Sequence, residues 1–381
     1  MTVSTSPPAP PGVTYAWLAF DAAGVRDRGA SGVADRTTAR PVTPEDPVRV
    51  ASVSKLVVAL GVLRLAEAGR IDLDADVSAL LGWELRNPAH PGAPITLRML
   101  LSHTSSLQDK GDNYVIPLGG TVRGMMVRPE SFDREHAPGT YFRYSNLNFP
   151  IIASALERAT GERFDRLIQR EVLKPLGLDA CYNWSGCSDA AIARAVVLYR
   201  PDGSVARDDL RGRRPDCLVA TSGPGCDLSG YALGSNGALF SPQGGLRASP
   251  ADLAVIGRML LNRGRHGGRT FLSEGSVELL TRPVWVFDGS NGDTTGGFYC
   301  AYGLATQSLP TGTPGCRDDL FAGRRAVGHA GEAYNLRSGL WIDPARKVGI
   351  AYYSASNPAE PAPGRSAYTA IEEWLAARLP R

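Results

Sequence analysis

Residues 52–70 read SVSKLVVALGVLRLAEAGR. From Leu56 to Leu65 only Arg64 is charged. A helix that is apolar around its circumference belongs inside a large core. Gly69 and Arg70 supply its stop. Ser52 and Lys55 stand at its head. A serine at a helix start lies where free N–H groups and the helix dipole favour developing negative charge. A lysine three residues on shares its face. At the mouth of an apolar helix such a lysine is costly unless paired or functional. Serine needs a neighbour to take its proton before it becomes a good nucleophile. Ser52 and Lys55 therefore read as nucleophile and base.

Two further motifs lie downstream. Tyr144-Ser145-Asn146 sits in PGTYFRYSNLNF (138–149), on a loop before a helix expected to start near Pro150. A phenol beside a lysine ammonium can be held partly ionised and act as a general base. The Asn146 amide offers a donor and an acceptor to a substrate amide. His329-Ala330-Gly331, in the stretch GHAGEAYNLRSGLWID (328–343), reads as the start of a strand paired with a following strand KVGIAYYSA (347–355). Gly331 would let a ligand approach the strand backbone. The N–H groups of Glu332 and Ser52 could then form a two-donor oxyanion hole. His103, in LLSHTSSL, reads as structural, and Arg143 as a surface or packing residue.

Composition narrows the alternatives. The 381 residues can bury a large core, and the hydrophobic and charged shares of 43% and 21% are ordinary for a globular protein. Net charge is +3 with both signs interspersed, which gives no nucleic-acid footprint. No apolar run approaches the length of a membrane span. The five histidines show no metal-ligand spacing, and no phosphate or dinucleotide loop is present, so neither metal nor cofactor is expected. A GxSxG elbow is also missing, which argues against an α/β-hydrolase.

Residues 1–12, MTVSTSPPAPPG, read as a flexible segment without the regions of a signal peptide. Six cysteines fall into three close pairs, 181/187, 217/226 and 300/316. Local pairing is the simplest of 15 connectivities. Bridges would imply an oxidising compartment, so a periplasmic or secreted location is expected, with a cytosolic one as the alternative.

Along the chain, TYAWLAFDAAG (14–24) and VRDRGASGVAD (25–35) read as two strands turning at Ala23-Gly24. Residues 70–245 are rich in helices and loops, including 150–161 and 164–173. Ser249-Pro250-Ala251-Asp252 is a strong helix start. Strand-like sequence resumes near 297, and a last helix is expected over 366–379. Strands at both ends around a helical insert give an α+β architecture. The division expected is an α/β domain from 13–75 and 290–381, and a mostly helical domain from 76–289.

Ser-x-x-Lys, Tyr-x-Asn and Lys/His-x-Gly, in this order, resemble the penicillin-recognising serine hydrolases. That group includes class C β-lactamases, D,D-peptidases, D-aminopeptidases and β-lactamase-like carboxylesterases. The segments at 95–107, 138–146, 160–178 and 244–254 are similar too, so the resemblance covers roughly residues 13 to 375. It implies a β-lactamase/transpeptidase-like fold, in which an antiparallel sheet from both chain ends is covered by helices and the active site lies in a cleft. It also implies Ser52 as acylated nucleophile, with Lys55 and Tyr144 exchanging protons and either one the first base. Asn146 would place the substrate or Lys55, and His329, Gly331 and Glu332 would join it in binding substrate, with the Glu332 carboxylate near the cleft rim repelling a substrate carboxylate. His-Ala-Gly replaces the usual Lys-Thr-Gly of β-lactamases, so the cation that helps hold a substrate carboxylate is lost. Short neutral esters are the expected substrates, with weak β-lactamase activity. D-amino-acid amides and D,D-peptides are the alternative within this class. A non-turnover penicillin-binding receptor or scaffold is the alternative outside it. The filled motifs and the absence of a membrane segment argue against that last reading.

Overall fold

The structure is a computed structural model and describes residues 13–223 and 225–380. The expected flexible segment 1–12 lies outside the described residues. One eight-stranded antiparallel sheet dominates. Its strands are β1 (Thr14–Asp21), β2 (Val25–Ser31), β3 (Trp285–Val286), β4 (Ala301–Tyr302), β5 (Gln307–Leu309), β6 (Ala326–Ala333), β7 (Leu336–Asp343) and β8 (Val348–Ala355). They lie in the order β3-β4-β5-β6-β7-β8-β1-β2.

Period-two alternation sends side chains to both faces, and both are covered. Leu18, Phe20, Leu340 and Ala351 join the large core cluster on one face. Trp17, Ala19, Trp341 and Ile350 join a second cluster on the other, with Ile371 and Leu375 of the last helix. This explains why β8 is buried at every position and shows no polar alternation.

Four helices matter for the site: α1 (Ser54–Glu67), α2 (Asn148–Thr160), α3 (Pro250–Leu261) and α4 (Ala370–Ala376). From Ser54 to Leu63 every residue of α1 is buried. The helix ends in a Schellman arrangement: Gly69 N–H donates to Ala66 O and Arg70 N–H to Leu65 O, with Gly69 at φ 65°. A capping box between Ser249 and Asp252 opens α3.

Several expectations need correction. The strand that carries His329 runs Ala326–Ala333 and does not pair with 347–355. The chain folds back at Tyr334 and Asn335, both at positive φ (52° and 58°), between the paired residues Ala333 and Leu336. This is the geometry of a two-residue hairpin, and it makes β7 the partner of β6 in place of β8. The last helix covers only 370–376, because Thr369 caps it and closes a box with Glu372. Helix α2 starts at Asn148, two residues before Pro150. The helix α3 packs on β8, β1 and β7, although the expected boundary at 289/290 puts it in the helical part. The strand Leu246–Ala248 just before it pairs with Val48–Arg49, which leads into α1. We propose that the sheet-bearing part resumes at Leu246.

The six cysteines form Cys181–Cys187, Cys217–Cys226 and Cys300–Cys316. Denatured but unreduced protein should therefore titrate no thiol, and six after reduction. Six thiols before reduction would remove the bridges and the argument for an oxidising compartment.

Candidate active site

Ser52 sits in a short 3-10 turn, Ala51–Val53, between the strand Val48–Arg49 and α1. Ala51 holds φ 46°, a sparsely populated conformation for a residue with a Cβ. That turn lies against β6. A Cβ on Gly331 would stand 2.5 Å from Val50 O, 2.4 Å from Ser338 Oγ and 3.1 Å from Ser52 N. Glycine at 331 is thus what lets the β6 backbone run beside the backbone of Ser52. The expected oxyanion donors, Ser52 N–H and Glu332 N–H, belong to these two adjacent segments.

Lys55 projects from the first turn of α1 and is completely buried. Its Nζ lies 3.0 Å from Ser52 Oγ, 2.8 Å from Asn146 Oδ1 and 2.8 Å from the Gln243 carbonyl oxygen. Burial pulls its pKa down to about 7, while the charge of Asp109 acts upward. A neutral amine has two N–H groups and one lone pair. The two carbonyl-type partners accept the two N–H groups, which leaves the lone pair for the Ser52 hydroxyl proton. Ser54, one turn position away, has a different task. Its Oγ donates to Ala51 O and accepts from Leu246 N–H inside the core.

Tyr144 lies between two rings, stacked on His103 at 4.3 Å and on Tyr299 at 4.6 Å between centroids. Lys55 Nζ stands over its face, 4.9 Å from the centroid. Its hydroxyl faces Ser52 and Tyr299 without a well-formed hydrogen bond to either. Burial therefore dominates and pushes the phenol pKa well up. The expected partly ionised phenolate is thus corrected: the resting Tyr144 is a protonated donor.

The loop 144–148 is held from behind. Asp109 accepts four hydrogen bonds, from Ser145 Oγ (2.9 Å), Asn146 N–H (3.0 Å), Asn146 Nδ2 (2.9 Å) and Leu147 N–H (3.1 Å). Sequence reading missed Asp109. The signal available was a lone acid just after LLSHTSSLQ, with nothing local to tie it to a loop some 37 residues away. His103 Nδ1 accepts from Ser145 N–H (3.0 Å) and faces Asn148 Nδ2 (3.0 Å). Arg143 turns away, to Gln108 Oε1 (3.0 Å) and Asp133 (3.2 Å).

A cleft of about 400 Å³ opens over these groups, lined among others by Ser52, Tyr144, Asn146, Tyr299, Glu332 and Arg337. That is within the size range of small-molecule sites. His329 does not line it. The ring is fully buried, with Nε2 2.7 Å from Tyr302 Oη and Nδ1 2.5 Å from Ala330 O. Burial and the charge of Lys55 hold its pKa down to about 3, so it is neutral. His329 was expected to bind substrate; its buried side chain instead ties β6 to Tyr302 of β4. Glu332 reaches the rim, 70% exposed, and pairs with Arg337 across the hairpin at 2.6 Å. The carboxylate expected near the rim is thus there, but it is salt-bridged.

Among the described residues, no group of His, Cys, Asp and Glu is placed to hold a metal. Nor is any helix long and apolar enough to cross a membrane.

A family model described as Beta-lactamase matches residues 13–372. Over 210 residues the chain is 34% identical to Esterase EstB of Burkholderia gladioli, covering 50% of this chain and 51% of the esterase. Over 140 residues it is 32% identical to the D-alanyl-D-alanine-carboxypeptidase/endopeptidase AmpH of Escherichia coli (strain K12), covering 34% and 35%. These matches span about half and about a third of the relatives' lengths. Among solved structures, EstCE1, a hydrolase with promiscuous acyltransferase activity, is similar with a TM-score of 0.67. It is 21% identical over 96% of this chain and 93% of that one. The fold is β-lactamase/transpeptidase-like.

Proposed function

The chain belongs to the beta-lactamase family, and on that premise we propose that it is a serine hydrolase working through an acyl-enzyme, with short neutral esters as its best substrates. The observation that carries this reading is the shared position of Lys55 Nζ between Ser52 Oγ, Asn146 Oδ1 and Gln243 O. Neutral Lys55 takes the Ser52 proton as Oγ attacks the carbonyl carbon. The oxyanion that forms is met by the N–H groups of Ser52 and Glu332, each worth about 3–4 kcal/mol where water is excluded. Protonated Tyr144 donates to the departing alkoxide and is reprotonated from Lys55. Water then attacks the acyl-enzyme by the same proton path in reverse, releasing the acid and restoring Ser52.

Selectivity for neutral esters follows from the β6 side of the cleft. A neutral, buried His329 offers no cation to a substrate carboxylate, and Ala330 offers no hydroxyl. Arg337 is a cation on the lining, but Glu332 (2.6 Å) and Glu372 (3.9 Å) occupy it. A D,D-peptide or D-amino-acid amide is the second reading; the identity to the carboxypeptidase/endopeptidase AmpH favours the peptide, and Asn146 at the lining suits either. The three disulfides support an oxidising compartment as the place of action.

The test is a panel of p-nitrophenyl butyrate, nitrocefin and D-alanine amide. Butyrate should have the highest kcat/KM and nitrocefin a low one; nitrocefin as the best substrate would overturn the esterase reading. Glu332→Ala leaves Arg337 with Glu372 alone, at 3.9 Å, and should raise the nitrocefin-to-ester ratio of kcat/KM. For an exposed pair the gain is at most about fivefold. An unchanged ratio would show that this charge pair has no part in selectivity.

A further inference from the structure

We propose that Asp109 is a positioning residue for the Ser52–Lys55 pair: it locks the Asn146 amide with its oxygen toward Lys55 and sets a negative charge behind that amide. The proposal rests on the reading of Ser52 and Lys55 as nucleophile and base. A side-chain amide can present either end, and its surroundings decide which. Here Asn146 Nδ2 donates to Asp109 at 2.9 Å, and Asn146 Oδ1 accepts from Lys55 at 2.8 Å. The flipped amide would set its oxygen against a carboxylate and its NH2 against the amine. Both contacts would be lost together. With the amide held, one Lys55 N–H is committed to Oδ1 and the lone pair stays on Ser52.

Asp109 does not line the cleft, so it acts through other groups. Its other bonds, to Ser145 Oγ, Leu147 N–H and the Asn146 N–H, tie the loop that carries Tyr144. A loop tether alone would make Asp109 structural, and the charge distinguishes the two roles. Around Lys55 stand Ser52 on its own turn, Tyr144 and Asn146 on the loop, the Gln243 carbonyl, and the rings of His103 and His329. Burial and the Lys55 charge keep both histidines neutral, and burial keeps Tyr144 protonated. Asp109 is the carboxylate that acts on Lys55, and it acts to raise its pKa against burial.

The test is the pH profile of kcat/KM for p-nitrophenyl butyrate, measured on the full chain. Asp109→Asn removes the charge and so favours the neutral amine. The acid limb should move to lower pH by at least about half a unit. The misdirected amide should lower kcat at the plateau at least about tenfold. Asp109→Glu keeps the charge but shifts the oxygens; it should lower kcat and leave the limb in place. The limb of Asp109→Asn at the wild-type position, with only a lower thermal midpoint, would overturn the proposal in favour of a tether. Should Asp109→Asn fail to fold, an undiminished kcat in Asp109→Glu would overturn it as well. A wild-type profile without an acid limb near pH 7 would overturn both this proposal and the Lys55 reading beneath it.

Discussion

Ser52→Ala should lower ester turnover at least about 10³-fold while leaving the fold intact. Ser52 is only half-buried, and the contact of its hydroxyl is with Lys55. Its loss removes the nucleophile without opening the core. A fluorophosphonate should label Ser52, located by peptide mass spectrometry, and should fail to label Ser52→Ala. Ser54→Ala is the informative control. Its hydroxyl satisfies Leu246 N–H in a buried setting, so its removal should destabilise the protein by about 1–3 kcal/mol. Activity in surviving Ser54→Ala protein would separate the core serine from the reacting one. Ester hydrolysis in Ser52→Ala above about a thousandth of wild type would point to another nucleophile.

Lys55→Ala and Tyr144→Phe should each lower kcat at least about 10²-fold. Their combination should cost much less than the product, because two residues in one proton path lose the same function only once. Strictly multiplicative losses would sink the shared path. The pH dependence separates their roles. With Lys55 drawn down to about 7, kcat/KM should rise as pH passes through that value, because only the deprotonated amine can accept the Ser52 proton. Tyr144 is pushed up by burial, so its ionisation should leave no limb in the neutral range. Tyr144→Phe should therefore keep the acid limb at lower amplitude, and Lys55→Ala should lose it. A limb that vanishes in Tyr144→Phe would return the first-base role to the phenol.

The sequence alone was enough for what short-range rules govern. The apolar run from Leu56 to Leu65 implied a buried helix, and Ser52 and Lys55 three apart implied adjacency, since helical pitch places them so. The capping box at Ser249 and Asp252, the β1–β2 hairpin and the close cysteine pairs were legible for the same reason. Each depends on residues within a few positions of one another. The hairpin turn at Tyr334-Asn335 is local too but weakly signalled, since both residues take positive φ and a tyrosine disfavours what Asn-Gly adopts readily. The rest depended on contacts across long separations. Asp109 reaches the Asn146 loop, Arg337 takes up Glu332, and Tyr302 meets a sunken His329. Protonation was likewise out of reach from sequence. Whether Lys55 is a base and Tyr144 an acid turns on how much water each has lost, and that is set only when helices and sheet close around them.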